Sequence, residues 1–150
     1  MNYKAQSLFL YQFAKYVSWP QQAVADEIVI GVLGNSPILE ELQLMAALKR
    51  GPEGQRLVIR ELQALDDMKG IHILYLSAAK SRMLKAVRTA LGRAPTLLVA
   101  ERGGLARKGA AINFIVLDND TLRFEVNPDT LAAHNLRMSR ELLSLGFEVP

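Results

Sequence analysis

The chain has 150 residues, half of them hydrophobic and 22% charged, with a formal net charge of +3 and no cysteine. A chain of this length folds as one domain and buries about 68–70% of its unfolded surface. The composition excludes a disordered chain, a disulfide scaffold, a thiol nucleophile and a cysteine-held metal.

The first element in chain order is a helix over Lys4 to Pro20, KAQSLFLYQFAKYVSWP. Trp19-Pro20 stops it, because proline cannot continue a helix and restricts the residue before it. Tyr3, Leu8, Phe9, Leu10, Tyr11, Phe13, Tyr16 and Val17 cannot all fit the apolar stripe of about 100° that a surface helix needs. The helix is therefore expected to be covered on two sides, by its own sheet and by a second copy, a partner protein or a membrane. It is too short for the roughly 20 residues of a bilayer span, and Lys15 interrupts it. Met1 to Lys4 and Ala23-Val24-Ala25 resemble the start and cleavage site of a secretory signal, but Gln6, Gln12 and Lys15 break the apolar core between them. The helix reads as part of the folded domain.

After a polar loop, Glu27 to Leu33 is a β-branched run apolar on both faces, as in a parallel sheet. Ser36 is an expected N-cap, with Pro37 at the first helical position and Glu40 and Glu41 at the positive end of the dipole. That helix runs to about Lys49, and Arg56 to Leu62 is the second strand. Gln63 to Gly70 is a short segment with Leu65 and Met68 at helical spacing. Ile71 to Leu76 is the third strand. Ser77 is expected to cap a helix over Ala78 to Leu91, its inner face Met83, Leu84, Val87 and Leu91. Thr96 to Ala100 is the fourth strand. Ala111 to Leu117 and Thr121 to Val126 form a hairpin around Asp118-Asn119-Asp120. Asn127-Pro128-Asp129 caps another helix, and Ser139 to Leu145 is helical. The alternation predicts one three-layer α/β domain over residues 1–150, with helices on both faces of a mixed, mainly parallel sheet and a C-terminal antiparallel hairpin.

Catalytic and cofactor motifs are mostly absent. Gly31-Val32-Leu33-Gly34-Asn35-Ser36, at the first strand end, lacks the third glycine of a dinucleotide fingerprint, and no acid ends the second strand. Arg102 to Gly109 has the glycines of a phosphate loop, but Ala110-Ala111 stands where lysine and a hydroxyl are needed. Asp118-Asn119-Asp120 lacks the ligand series of a calcium loop. His72 and His134 read as structural, and the pairs Glu40-Glu41 and Asp66-Asp67 point apart. No catalytic residue, metal or cofactor is expected, and the basic residues are too scattered for a nucleic-acid surface. A second reading is an anion site near the strand ends, built from Asn35, Ser36, Arg102, Arg107, Lys108, Asn113 and Arg123.

Five blocks then resemble one family in order and spacing. The first is Lys4-Ala5, Leu8, Tyr11, Phe13-Ala14-Lys15-Tyr16-Val17 and Trp19-Pro20. The others are Ile30 to Gly34, His72 to Ser77, Gly109 to Phe114 and Leu122 to Asn127; the tail Asn135 to Ser139 with Leu142-Leu143 also agrees. Together they resemble the YfiR family of periplasmic proteins over nearly the whole chain. The resemblance implies a secreted α/β domain that often dimerises. It also implies repression of a membrane-anchored diguanylate cyclase from the periplasmic side, in a system that includes an outer-membrane lipoprotein and controls cyclic-di-GMP and biofilm formation. The family's export signal is expected to have been trimmed from this sequence. Many relatives carry cysteine where this chain has Ile71, so redox control through that residue is not open to it. Gly109-Ala110-Ala111 replaces the usual Gly-Gly-Met. The expected partner or dimer contact is Leu10, Phe13, Tyr16, Val17 and Trp19.

Overall fold

The structure is a computed structural model that describes residues 2–23 and 25–150. Met1 and Val24, two of the residues behind the signal-peptide reading, lie outside the described residues.

Helix α1 (Tyr3–Tyr16) is capped by Asn2, whose side chain accepts from the Ala5 N–H, and leads into β1 (Val17–Ser18). β2 (Glu27–Leu33), α2 (Ile38–Leu48) and β3 (Arg56–Leu62) follow, then β4 (Ile73–Leu76), α3 (Leu84–Leu91), β5 (Leu97–Ala100) and β6 (Ile112–Val116). The chain closes with β7 (Leu122–Val126), α4 (Pro128–Ala133), β8 (Arg137–Met138), α5 (Arg140–Leu143) and β9 (Gly146–Glu148). The main sheet has the order β3-β2-β4-β5-β6-β7-β9. Its first five strands are parallel, β7 is antiparallel to β6, and β9 returns parallel to β7. The expected mixed α/β sheet and hairpin are present.

The pleat sorts the strand residues into two layers. Ile28, Ile30 and Val32, Ile73 and Tyr75, and Leu97 and Val99 join the cluster of α1 and α2. Val29 and Leu33, Leu74 and Leu76, and Leu98 and Ala100 join the cluster of α3. Burial on both faces explains why these strands read as unbroken apolar runs.

The differences from the sequence reading have local causes. α1 stops at Tyr16, because Val17–Ser18 pairs antiparallel with β8 and the Tyr16 carbonyl accepts from the Ser139 N–H at 2.9 Å. The helix expected over Ala78 to Leu91 opens as a 3-10 helix, Ala78–Met83, before α3 begins. Ser77 does not cap it. The Ala78 N–H donates to Glu101 Oε1 at 2.8 Å, and the buried Ser77 hydroxyl has no partner among the described residues. Asn127 caps α4 as expected, accepting from the Thr130 N–H. Ser36 Oγ accepts from the Ile38 N–H, but α2 starts at Ile38, so Pro37 holds the capping position and not the first helical one. Ser139, which the sequence did not mark as a cap, accepts from the Leu142 N–H.

Candidate functional site

The residues expected to form a site fall in three places: the outer side of α1, the carboxyl ends of the parallel strands, and the loop after β5.

The inner side of α1 is core. Leu10 and Phe13 are fully buried and Val17 is 5% exposed. Phe13 meets Phe124 edge-on at 5.2 Å between centroids, and Phe9 meets the same ring at 5.7 Å. An incoming surface cannot reach Leu10, Phe13 or Val17 while the domain stays folded. Of the five residues expected to make the partner contact, Tyr16 (38% exposed) and half-buried Trp19 remain accessible. Leu8, 41% exposed, and half-buried Tyr11 join them on the outward side. Two lysines frame this surface: Lys15 Nζ lies 5.3 Å from the Tyr16 ring centroid, and Lys49 Nζ lies 4.9 Å from that of Tyr11. The helical spacing of Lys4, Leu8 and Lys15 carries the signal for this face.

Trp19 is held from behind. Its indole N–H donates to the His72 carbonyl at 3.2 Å. His72 Nδ1 accepts from the Val29 N–H at 3.0 Å, which places the ring proton on Nε2, facing the Ala23 carbonyl at 2.8 Å. His72, just before β4, thus ties β2 and the segment after β1 together, the structural role the sequence suggested.

The parallel strands follow the order 2-1-3-4-5, so the topological switch point lies between β2 and β4, where open α/β sheets take ligands. Here the chain fills that place itself. Tyr3 from α1 donates its hydroxyl to Glu101 Oε2 at 2.5 Å. Tyr75 donates to Gln6 Oε1 at 2.7 Å. The Tyr3 phenol is held above its ordinary value by the Glu101 hydrogen bond first and by burial second. Burial raises Tyr75 further, with the Glu101 charge adding to it. Gly34, with φ +101°, lets Ser77 Oγ and Lys80 pack where a β-carbon would sit.

The residues expected to form one anion site are dispersed. Asn35 lines a polar cleft of about 410 Å³ with Glu61, Gln63 and Lys80. Ser36 caps α2. Asn113 is fully buried and acts as a strut. Its Oδ1 accepts from the Ala106 N–H at 2.8 Å, and its amide donates to Phe114 O and Glu125 Oε1. Asn127 donates to the Ala106 carbonyl at 2.8 Å, so two asparagines strap the loop down. Arg123 turns its guanidinium to the Leu145 carbonyl, 3.4 Å away, and Arg107 is exposed. Arg102 and Lys108 share a cleft with Arg82, Lys85 and Arg88, which are not among the expected site residues. Their spacing of three residues along the chain was the available signal.

Compared with known proteins, residues 3–146 match the model of the family described as YfiR/HmsC-like. No curated protein matches the chain.

Proposed function

The chain belongs to the YfiR/HmsC-like family, a family of regulatory domains, and from that premise we propose that it is a periplasmic repressor of a membrane-bound diguanylate cyclase, acting by protein contact. The observation that carries the reading is the two-sidedness of α1. Its inner side is locked into the core by Leu10 and Phe13, while its outer side leaves Leu8, Tyr11 and Tyr16 at the surface beside Lys15 and Lys49. Aromatic side chains flanked by cations are suited to anchoring a protein contact, since they bring large area at little entropy cost. No helix among the described residues is long and apolar enough to cross a membrane.

Repression of this kind needs no chemistry. A domain that binds the inactive state of the cyclase's sensor segment better than the active state shifts the population toward the inactive one, by no more than that difference in affinity. A homodimer fits the reading, as does release by an outer-membrane lipoprotein.

The test is contact mapping in cells. A photo-crosslinking residue at position 8, in the exported protein, is expected to capture an inner-membrane protein that carries a cytoplasmic cyclase domain. Crosslinks from position 8 to soluble periplasmic proteins alone contradict the proposal.

A further inference from the structure

Charge is unevenly distributed along the chain. Between Gly70 and Leu117 the sequence carries eight of its eighteen Lys and Arg, against a single acid, Glu101. Glu101 is 5% exposed and faces inward, bonded to Tyr3 and the Ala78 N–H, so it offsets nothing at the surface. The remaining ten cations share the rest of the chain with fourteen acids.

The fold gathers this charge. Arg82, Lys85 and Arg88, three residues apart and all exposed, run along the outer side of the 3-10 segment and α3, while Leu84, Val87 and Leu91 face the core. Across a cleft of about 600 Å³ stand Arg102 and Lys108. None of the five makes an ion pair among the described residues, where the one such pair is Arg56 with Glu27. Arg88 is fixed in place. Its Nη1 donates to the Lys108 carbonyl at 3.3 Å, and its guanidinium lies where any β-carbon on Gly109 would be. Gly109, at φ +115°, provides that seat. Gly103 and Gly104 add bare backbone to the wall, with no side chain to bar a close approach.

We propose that this cleft binds a phosphate-bearing anion. Five unpaired cations in one open cleft repel one another, and a multiply charged ligand relieves that repulsion. Three are arginines, whose planar forks match phosphate oxygens two at a time. A singly charged carboxylate would leave most of the charge unmet. The same chemistry is offered by a soluble phosphate compound and by the headgroups of anionic phospholipids. The site lies on the α3 side of the sheet, opposite α1, so it stands or falls independently of the cyclase contact.

The test uses the whole protein with two probes: inorganic pyrophosphate by titration calorimetry, and flotation with phosphatidylglycerol–phosphatidylcholine vesicles against phosphatidylcholine alone. The variant pair Lys85→Gln/Arg102→Gln removes two charges from the cleft, and Arg137→Gln/Arg140→Gln removes two elsewhere. Binding of either probe should weaken about tenfold or more in the first variant and stay near the parent in the second, as charge-assisted hydrogen bonds are lost. Pyrophosphate binding with this pattern identifies a soluble ligand, and vesicle binding alone identifies a headgroup. No binding of either probe, or equal weakening in both variants, overturns the proposal. Circular dichroism of each variant shows that the fold is retained. Should the first variant unfold, Arg82→Gln/Lys108→Gln takes its place with the same expectation.

Discussion

At the scale of single residues, Glu101 is the side chain on which most depends. It is a buried carboxylate that makes no ion pair among the described residues, held by the Tyr3 hydroxyl and by the first N–H of the 3-10 helix. An acid at that N–H interacts favourably with the positive end of the helical turn. Replacing it by alanine leaves two donors without an acceptor, at a cost of about 1–3 kcal/mol. Glu101→Gln, which retains one acceptor, should cost less; urea denaturation measures both. Tyr3 adds a pH dependence of definite sign. Its phenol is raised above the usual value near 10 chiefly by the bond to Glu101, so the folded state holds that proton more tightly than the unfolded chain. The stability this brings is complete below pH about 10 and is lost as the pH climbs through the raised value. Tyr3→Phe should therefore be less stable than the parent at neutral pH, with the gap closing in alkaline solution. A gap that stays constant from pH 8 to 11 contradicts the assignment. None of this was legible in the sequence, where Tyr3 and Glu101 are 98 positions apart and Ser77 stood in the place where a cap is expected.

At the scale of elements, the parallel strands, α2 and the hairpin were legible because each carries its own local signal. A β-branched run marks β2 and a short apolar run β4, Ser36 and Asn127 mark helix starts, and Asp118-Asn119-Asp120 marks the turn, with Asp120 at φ +61°. β1, β8 and β9 were not, since strands of two or three residues are too short to show a period of two. They exist because their partners do: β1 and β8 pair with each other, and β9 extends the sheet beyond β7. The link between α1 and the sheet is the element most open to test. His72 holds the Trp19–Ala23 segment through its carbonyl and Nε2 and β2 through Nδ1. His72→Ala should cost about 2–3 kcal/mol, from the unpaired Val29 N–H and the lost packing against Trp19. Hydrogen exchange over residues 17–23 should accelerate more than exchange in α3, on the other face of the sheet. Equal acceleration in both would show that the histidine serves global stability and not this attachment.

At the scale of the whole molecule, the two faces of the sheet differ. One face carries α1, whose inner residues make the core and whose outer residues are those proposed to meet a partner. The other carries α3 and a concentration of positive charge. The sequence showed that the first helix is apolar all round, but such a helix does not say which side is core. That is why Leu10, Phe13 and Val17 were grouped with Tyr16 and Trp19, and only the packing of Phe13 on Phe124 separates them. The basic cleft was half legible. Arg102 and Lys108 were read, but Arg82, Lys85 and Arg88 looked scattered until the crossover brought α3 beside the loop. The switch point, the usual ligand site of such sheets, is occupied by the chain's own Tyr3 and Gln6.

Repression through the outer side of α1, as proposed, is read at its output by the cellular level of cyclic-di-GMP. The level is measured in the source bacterium with the gene deleted, restored, and restored as Leu8→Glu/Tyr16→Glu, with each protein carrying an export signal. Both substituted positions are exposed, so the variant should keep its fold, with a stability change near 0.5 kcal/mol per site. Deletion should raise the level, the parent protein should reverse the rise, and the folded variant should not. A level that does not change on deletion, or that the variant restores as well as the parent does, contradicts the proposal.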